Sequence, residues 1–152
     1  MILLTEGLRA QLRANAAAHH DAIQLRRPEP DPAPVVKFFN PVGAATWLFS
    51  ELDEDGDLLF GLCDLGFDCP ELGAASLAEI VAVDLSLGLK IERDLYFSGD
   101  FPLTVYAAAA RSLGQVTEDS AALDAAAVCL AADRIAAGRN RIPSRADEVR
   151  DG

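Results

Sequence analysis

Two apolar, aromatic-bearing runs, Ala45 to Leu52 and Leu58 to Leu65, are separated by Asp53-Glu54-Asp55-Gly56-Asp57. A loop that short, with a glycine free to take positive φ, folds the runs back on each other as a β-hairpin. With the turn centred on Asp55, Leu52 faces Leu58, Leu48 faces Leu62, Gly61 lies opposite Phe49, and Trp47 lies beside Cys63. One face of the hairpin is expected to pack on the domain. Three aspartates at alternate positions also resemble the start of a calcium loop, which would need a glycine at the sixth position and a bidentate glutamate at the twelfth. Counted from Asp53, Gly56 is fourth and the twelfth residue is Asp64, so the loop reads as an ordinary tight turn, which selects the same residues.

The flanking segments set the rest of the fold. Leu8, Leu12, Ala16, His19 and Ile23 mark one face of a helix over 5–23, entered through Thr5 as N-cap. Gly7 in its first turn weakens it by up to ~1 kcal/mol. His19 falls on the apolar stripe as a hydrogen-bonded histidine at the core edge, and Arg9 and Arg13 form an exposed strip. Four prolines, Pro28, Pro30, Pro32 and Pro34, make an extended linker. Val35 to Phe39 then reads as a strand closed by Asn40-Pro41. Lys37 within it either snorkels to the sheet edge or is a desolvated functional amine.

After the hairpin, Pro70-Glu71-Leu72-Gly73 reads as a loop, and Ser76-Leu77-Ala78-Glu79 has the capping-box form that starts a short helix. Leu89 to Phe97 alternates apolar with polar residues like a strand with one wet face. Arg93 interrupts its dry face and calls for a carboxylate, which the acidic hairpin offers. A helix follows from Asp100-Phe101-Pro102 to Gly114, with Leu103, Tyr106, Ala110 and Leu113 as its stripe. An alanine-rich helix over 120–137 and a mobile polar tail from Arg139 complete the chain. The fold class is therefore α+β, an antiparallel sheet around a central hairpin with one helix before it and two to three after it. Residues 1–114 form one domain, 115–138 an appended helix, and 139–152 the tail.

Composition excludes several function classes. The chain has 152 residues, 51% hydrophobic and 24% charged, with a net charge of -11, and its mean hydropathy of +0.16 rules out wholesale disorder. No apolar run approaches the ~18 residues of a membrane span, and Met1-Ile2-Leu3-Leu4 lacks the basic flank and length of a secretory signal. A cytoplasmic protein is expected. The charge is uneven: residues 41–100 hold thirteen acidic groups against Lys90 and Arg93, whereas the segments on either side are close to neutral. Such a surface cannot neutralise phosphates, so direct nucleic-acid binding is not expected. It favours solubility, cations or basic partners.

The stock catalytic signatures are missing. There is no Gly-x-Gly-x-x-Gly, phosphate loop, His-Glu-x-x-His or Gly-x-Ser-x-Gly. Cys63, Cys69 and Cys129 are odd in number and irregular in spacing, which suits free, mostly buried thiols better than disulfides or zinc. No metal and no cofactor is expected. Histidine is confined to His19 and His20, while Glu51, Asp64, Asp68 and Glu71 cluster along the hairpin and its exit.

Several of these segments together resemble a known family. They are Leu4-Thr5 with Arg9-Ala10-Gln11-Leu12 and Ala14-Asn15, Pro34-Val35-Val36-Lys37-Phe38-Phe39, Gly43-Ala44-Ala45-Thr46-Trp47-Leu48 and Glu51-Leu52-Asp53. Phe60-Gly61-Leu62-Cys63-Asp64-Leu65-Gly66, Pro70-Glu71-Leu72-Gly73, Ser76-Leu77 and Ile91-Glu92-Arg93-Asp94-Leu95 continue the pattern. It resembles a bacterial family known only as a domain of unknown function, across about residues 3 to 114. The resemblance implies a small protein carried by plasmids or integrated elements, near antirestriction and plasmid-maintenance genes, and it implies no mechanism. This chain departs from the family at Ala74-Ala75, where a larger residue, often tyrosine, is common. The helix from Ser120 onward lies outside the shared pattern.

The leading expectation is a non-catalytic protein-interaction module, with Lys37, Trp47, Glu51, Asp64, Glu71 and Arg93 as candidate partner-binding residues. The same six could simply hold the sheet together. The expected partner is an unidentified protein, with a basic or DNA-binding one as an option, and the chain is a monomer or weak homodimer, the last helix laying Leu123, Val128, Ala131 and Ile135 on its own domain or against another copy. Two alternatives come from other classes. One is an acidic DNA mimic that occupies the groove of a DNA-binding or restriction protein. The other is a small carboxylate-dependent hydrolase.

Overall fold

The computed structural model describes residues 1–140. Helix α1, Glu6–Gln24, begins where Thr5 caps it by accepting the Leu8 N–H at 3.2 Å. Strand β1, Val36–Phe39, follows the proline linker, and β2, Thr46–Leu52, and β3, Leu58–Asp64, form the hairpin. Next come β4, Glu71–Ser76, helix α2, Leu77–Ala82, a 3₁₀ turn at Ser86–Gly88 and the two-residue strand β5, Glu92–Arg93. Helices α3, Leu103–Leu113, and α4, Ser120–Asn140, complete the order. The strands form one antiparallel sheet in the order β4-β3-β2-β1-β5. The fold is α+β with the hairpin at its centre, as the sequence implies. No helix among the described residues is long and apolar enough to cross a membrane.

The hairpin register holds at Trp47–Cys63, Leu48–Leu62 and Phe49–Gly61 and then slips: a bulge between Phe49 and Glu51 pairs Glu51 with Phe60 and Leu52 with Leu59. The expected Leu52–Leu58 pair is therefore displaced by one residue. Ser50 is the extra residue, as two residues of one strand facing one of the other require. Its carbonyl accepts the Asn15 side-chain N–H at 2.9 Å, which pins α1 to the bulge. Gly61 is obligatory beside it, because a Cβ there would fall 2.0 Å from the Leu48 carbonyl oxygen and 2.7 Å from the Phe49 Cα. Its value is close backbone approach.

Both faces of the sheet are covered, where one was expected. On one face Phe38, Trp47, Phe49, Leu52 and Leu59 pack against Leu3, Leu4, Leu12, Leu77, Ile80 and Ile91. On the other, Leu48 and Leu62 pack against Leu103, Tyr106 and Ala110 of α3 and Leu123 of α4. Strand β2 is thus buried on both sides, which explains its near-continuous apolar sequence. The proline segment ties the layers together. Asp31 accepts the Thr104 N–H and hydroxyl, the Pro32 carbonyl accepts the Leu103 N–H, and Arg134 of α4 reaches Asp31 at 3.9 Å.

Two segments differ from expectation. Pro70–Gly73 is not wholly a loop, since Glu71 to Gly73 open strand β4. Its glycine and alanines have low strand propensity, and pairing with β3 forms the strand regardless. The strand expected from Leu89 to Phe97 shrinks to Glu92–Arg93. Asp94 ends it by taking the Tyr96 N–H on its own carboxylate at 2.8 Å, and Leu95 and Tyr96 turn out to solvent. Helix α4 runs through Arg139 to Asn140; the remainder of the expected tail, residues 141–152, lies outside the described residues.

The acidic turn is structural. Asp55 accepts the N–H groups of Asp57 and Leu58, which hold its carboxyl below its ordinary value of 3.8. Asp57 reaches across to α2, accepting the Ala78 N–H at 2.8 Å and the Ser76 hydroxyl at 2.7 Å, while Ser76 itself caps Glu79. The Asp57→Ala variant is expected to lose about 1–2 kcal/mol of stability and the hydrogen-exchange protection of the α2 amides. The Gly61→Ala variant is expected to lose about 3 kcal/mol or more, measured by denaturant unfolding, because the added methyl meets backbone that cannot retreat without parting β2 from β3.

Candidate functional site

The bulge at Ser50 re-aims the end of β2, and its first consequence is the position of Glu51. Glu51 is only 12% exposed, and its carboxylate lies 3.0 Å from the Nδ1 of His19, one turn along α1 from Asn15. Glu29 approaches the Nε2 of the same ring at 3.7 Å from the linker. The pair edges an open cleft of about 250 Å³ between α1 and the register row Glu51–Phe60–Ala74. Phe60, Leu58, Ala74, Ala16 and Ile23 supply its apolar walls, and His19, His20, Glu51 and Asp53 supply its polar groups. Among the described residues no serine or cysteine lines it. The sequence places His19 at a hydrogen-bonded core edge, and the structure agrees. It does not single out the contact with Glu51, because the bulge that creates that contact has no glycine or proline to announce it.

The six candidate residues do not converge. Lys37 extends from β1 on the α3–α4 side of the sheet and pairs with Glu118 and, at 3.7 Å, Asp94. Trp47 is 8% exposed and belongs to the core. Asp64 is buried, and its two oxygens accept the N–H groups of Gly66 and Val116, so it anchors the hairpin exit to the α3–α4 connection. Arg93 meets no hairpin carboxylate. It donates instead to the backbone carbonyls of Ile2 and Leu3 at 3.1 and 2.7 Å, because β5 lies on the far edge of the sheet beside the N-terminus. Glu71 is exposed at the start of β4. Trp47, Arg93 and Glu71 share one cross-strand row, with Arg93 and Glu71 at its two ends. The cleft contains Glu51 without Asp64 or Arg93.

A second surface surrounds β4. Among the described residues this strand pairs only with β3, which leaves its other edge open. Asp57 accepts the Leu77 N–H at 2.8 Å, which sets the phase of the ladder. Glu71, Gly73 and Ala75 therefore bond to β3, and the N–H groups of Leu72 and Ala74 face outward. Leu65, Phe67 and Leu72 stand beside this edge 58%, 75% and 38% exposed. They line a hollow of about 240 Å³ with Cys63 and Cys69. The expectation of mostly buried thiols fails here, since Cys63 is half-buried and Cys69 and Cys129 are exposed. Burial pushes the Cys63 thiol above its ordinary range. Among the described residues no group of three or more His, Cys, Asp or Glu side chains is placed to hold a metal ion.

These features define an α+β protein whose central hairpin is covered on both faces and whose outer strand is left uncovered. The chain belongs to the family described as "Protein of unknown function (DUF2958)", whose model matches residues 3–117. The match ends just before α4. No curated protein and no solved structure matches the chain.

The His19–Glu51 contact has a direct spectroscopic consequence. An ionised carboxylate only accepts, so neutral His19 carries its proton on Nδ1. Long-range proton–nitrogen correlation spectra are expected to show that tautomer for His19, and Glu51→Ala is expected to return it to the Nε2–H form.

Proposed function

We propose that the chain is a non-catalytic protein-interaction module that takes up an extended segment of a partner along the free edge of β4. The supporting observation is that edge itself, with outward N–H groups at Leu72 and Ala74 and exposed Leu65, Phe67 and Leu72 alongside. Proteins normally blunt such edges with lysine, proline or a bulge. From Leu72 to Ser76 β4 carries none of these. Strand addition draws affinity from backbone hydrogen bonds and specificity from pockets for alternate side chains. Ala74 lines both the His19–Glu51 cleft and the Cys63–Phe67 hollow, which would serve as such pockets.

The acidic central segment selects a basic partner and hastens its encounter. In the mobile-element setting that the family resemblance implies, a DNA-binding protein of the host or element would fit. The DNA-mimic alternative has less support, because Asp55 and Asp57 direct carboxylate oxygens at the chain's own N–H groups. The hydrolase alternative has less support too, because of the hairpin carboxylates the cleft holds Glu51 and Asp53 without Asp64 or Glu71.

Affinity capture from a host carrying the native element, at moderate and at high salt, tests this reading. Wild type is expected to retain a stoichiometric partner that weakens with salt. Ala74→Pro removes one outward N–H without touching the ladder and is expected to weaken that partner roughly tenfold or more. Phe67→Ser is expected to weaken it in the same direction. Equal capture by wild type and Ala74→Pro, with both folded by circular dichroism, would show that the edge is not the docking surface.

A further inference from the structure

Past Leu130 helix α4 leaves the apolar surface it packs on, while Arg134 still reaches Asp31. Leu123, Ala126, Ala127 and Leu130 face α3 and the second core, whereas every residue from Ala131 to Arg139 is exposed. The expected self-association stripe therefore divides: Leu123 is committed to the core, and Val128 and Ile135 lie on the opposite face, 70% and 59% exposed. Those two are seven residues apart and so stand two turns apart on one face, with Asp124 before them and Arg139 after them. A projecting helix end of this kind has no intrinsic stability to spare.

The geometry points to a second copy of this chain as the occupant, docked through α4 in antiparallel fashion. Centring a two-fold axis between Ala131 and Ala132 places Val128 opposite the second copy's Ile135. It also places Asp124 opposite the second copy's Arg139, with each contact repeated by symmetry. The small Ala131 and Ala132 let the helices approach at the axis, and the acid-to-base order along the helix opposes a parallel arrangement. A heptad-spaced apolar seam closed by charge pairs is a self-complementary surface. The contact spans about 22 Å of helix from Asp124 to Arg139, which suits a weak, concentration-dependent dimer. Helix α4 lies beyond residues 3–117 matched by the family, so the interface is outside the matched region. None of the interface residues lies on β4.

Sedimentation velocity of the full chain under reducing conditions across a wide concentration range tests the interface. Wild type is expected to shift from monomer to dimer. Val128→Asp is expected to weaken the dimer roughly tenfold or more. Asp124→Arg and Arg139→Asp are each expected to weaken it, and the two together to restore it, a pattern that misfolding at exposed sites does not produce. A chain that stays monomeric at the highest concentration, a dimer indifferent to Val128→Asp, or a double reversal no better than the single ones would overturn the proposal. The Ala74→Pro variant is expected to dimerise like wild type, so failure of the edge reading and failure of this one are told apart.

Discussion

Strands β2 and β3 approach more closely at Gly61 than any side chain would allow, and much else follows from that contact. It brings the Leu48 and Phe49 backbone against β3 just where Ser50 bulges out of register. The bulge presents a carbonyl to Asn15 and swings Glu51 toward His19, so one local irregularity positions α1 and shapes the cleft together. It also returns Leu52 to the face that carries Phe49, so both enter the first core while Leu48, before the bulge, enters the second. Bulges re-aim side chains in this way at the cost of one unpaired residue.

The carboxylates that dominate the composition divide into distinct tasks. Asp55 and Asp57 satisfy backbone donors in the turn and at the start of α2, and Asp64 does the same between the hairpin exit and Val116. Glu118 and Asp94 surround Lys37, and Glu51 holds His19. A large net negative charge here is therefore partly a collection of internal acceptors, and only the remainder is surface field. Counting acidic residues overstates what a partner would meet.

Elements with strong local signals were legible in the sequence. Thr5, Ser76 and Gly114 mark helix ends where the structure has them, and the alternating hairpin set its own register as far as Phe49. What escaped depends on tertiary contact. Strand β4 has glycine and alanines where strand formers are expected, and it exists because β3 pairs with it. The Leu89–Phe97 alternation could not reveal that Asp94 would turn the chain away. For the site, composition drew attention to Glu51 and Glu71 together with Trp47 and Asp64, which are buried for structural reasons. Partner identity across a sheet is a three-dimensional property, and the distance from Arg93 to the hairpin acids could not be read along the chain.

The proline segment between α1 and β1 contributes in a way its composition does not suggest. Its rigid φ angles leave it little conformational freedom to lose on folding. Asp31 and the Pro32 carbonyl fasten it to the first turn of α3, while Glu29 lies against His19 of α1. It therefore works as a strap over the side of the sandwich, joining helices that pack on different sides of the sheet. Loosening either core pulls on the other through this connector, so the two apolar layers are expected to melt together as one cooperative unit.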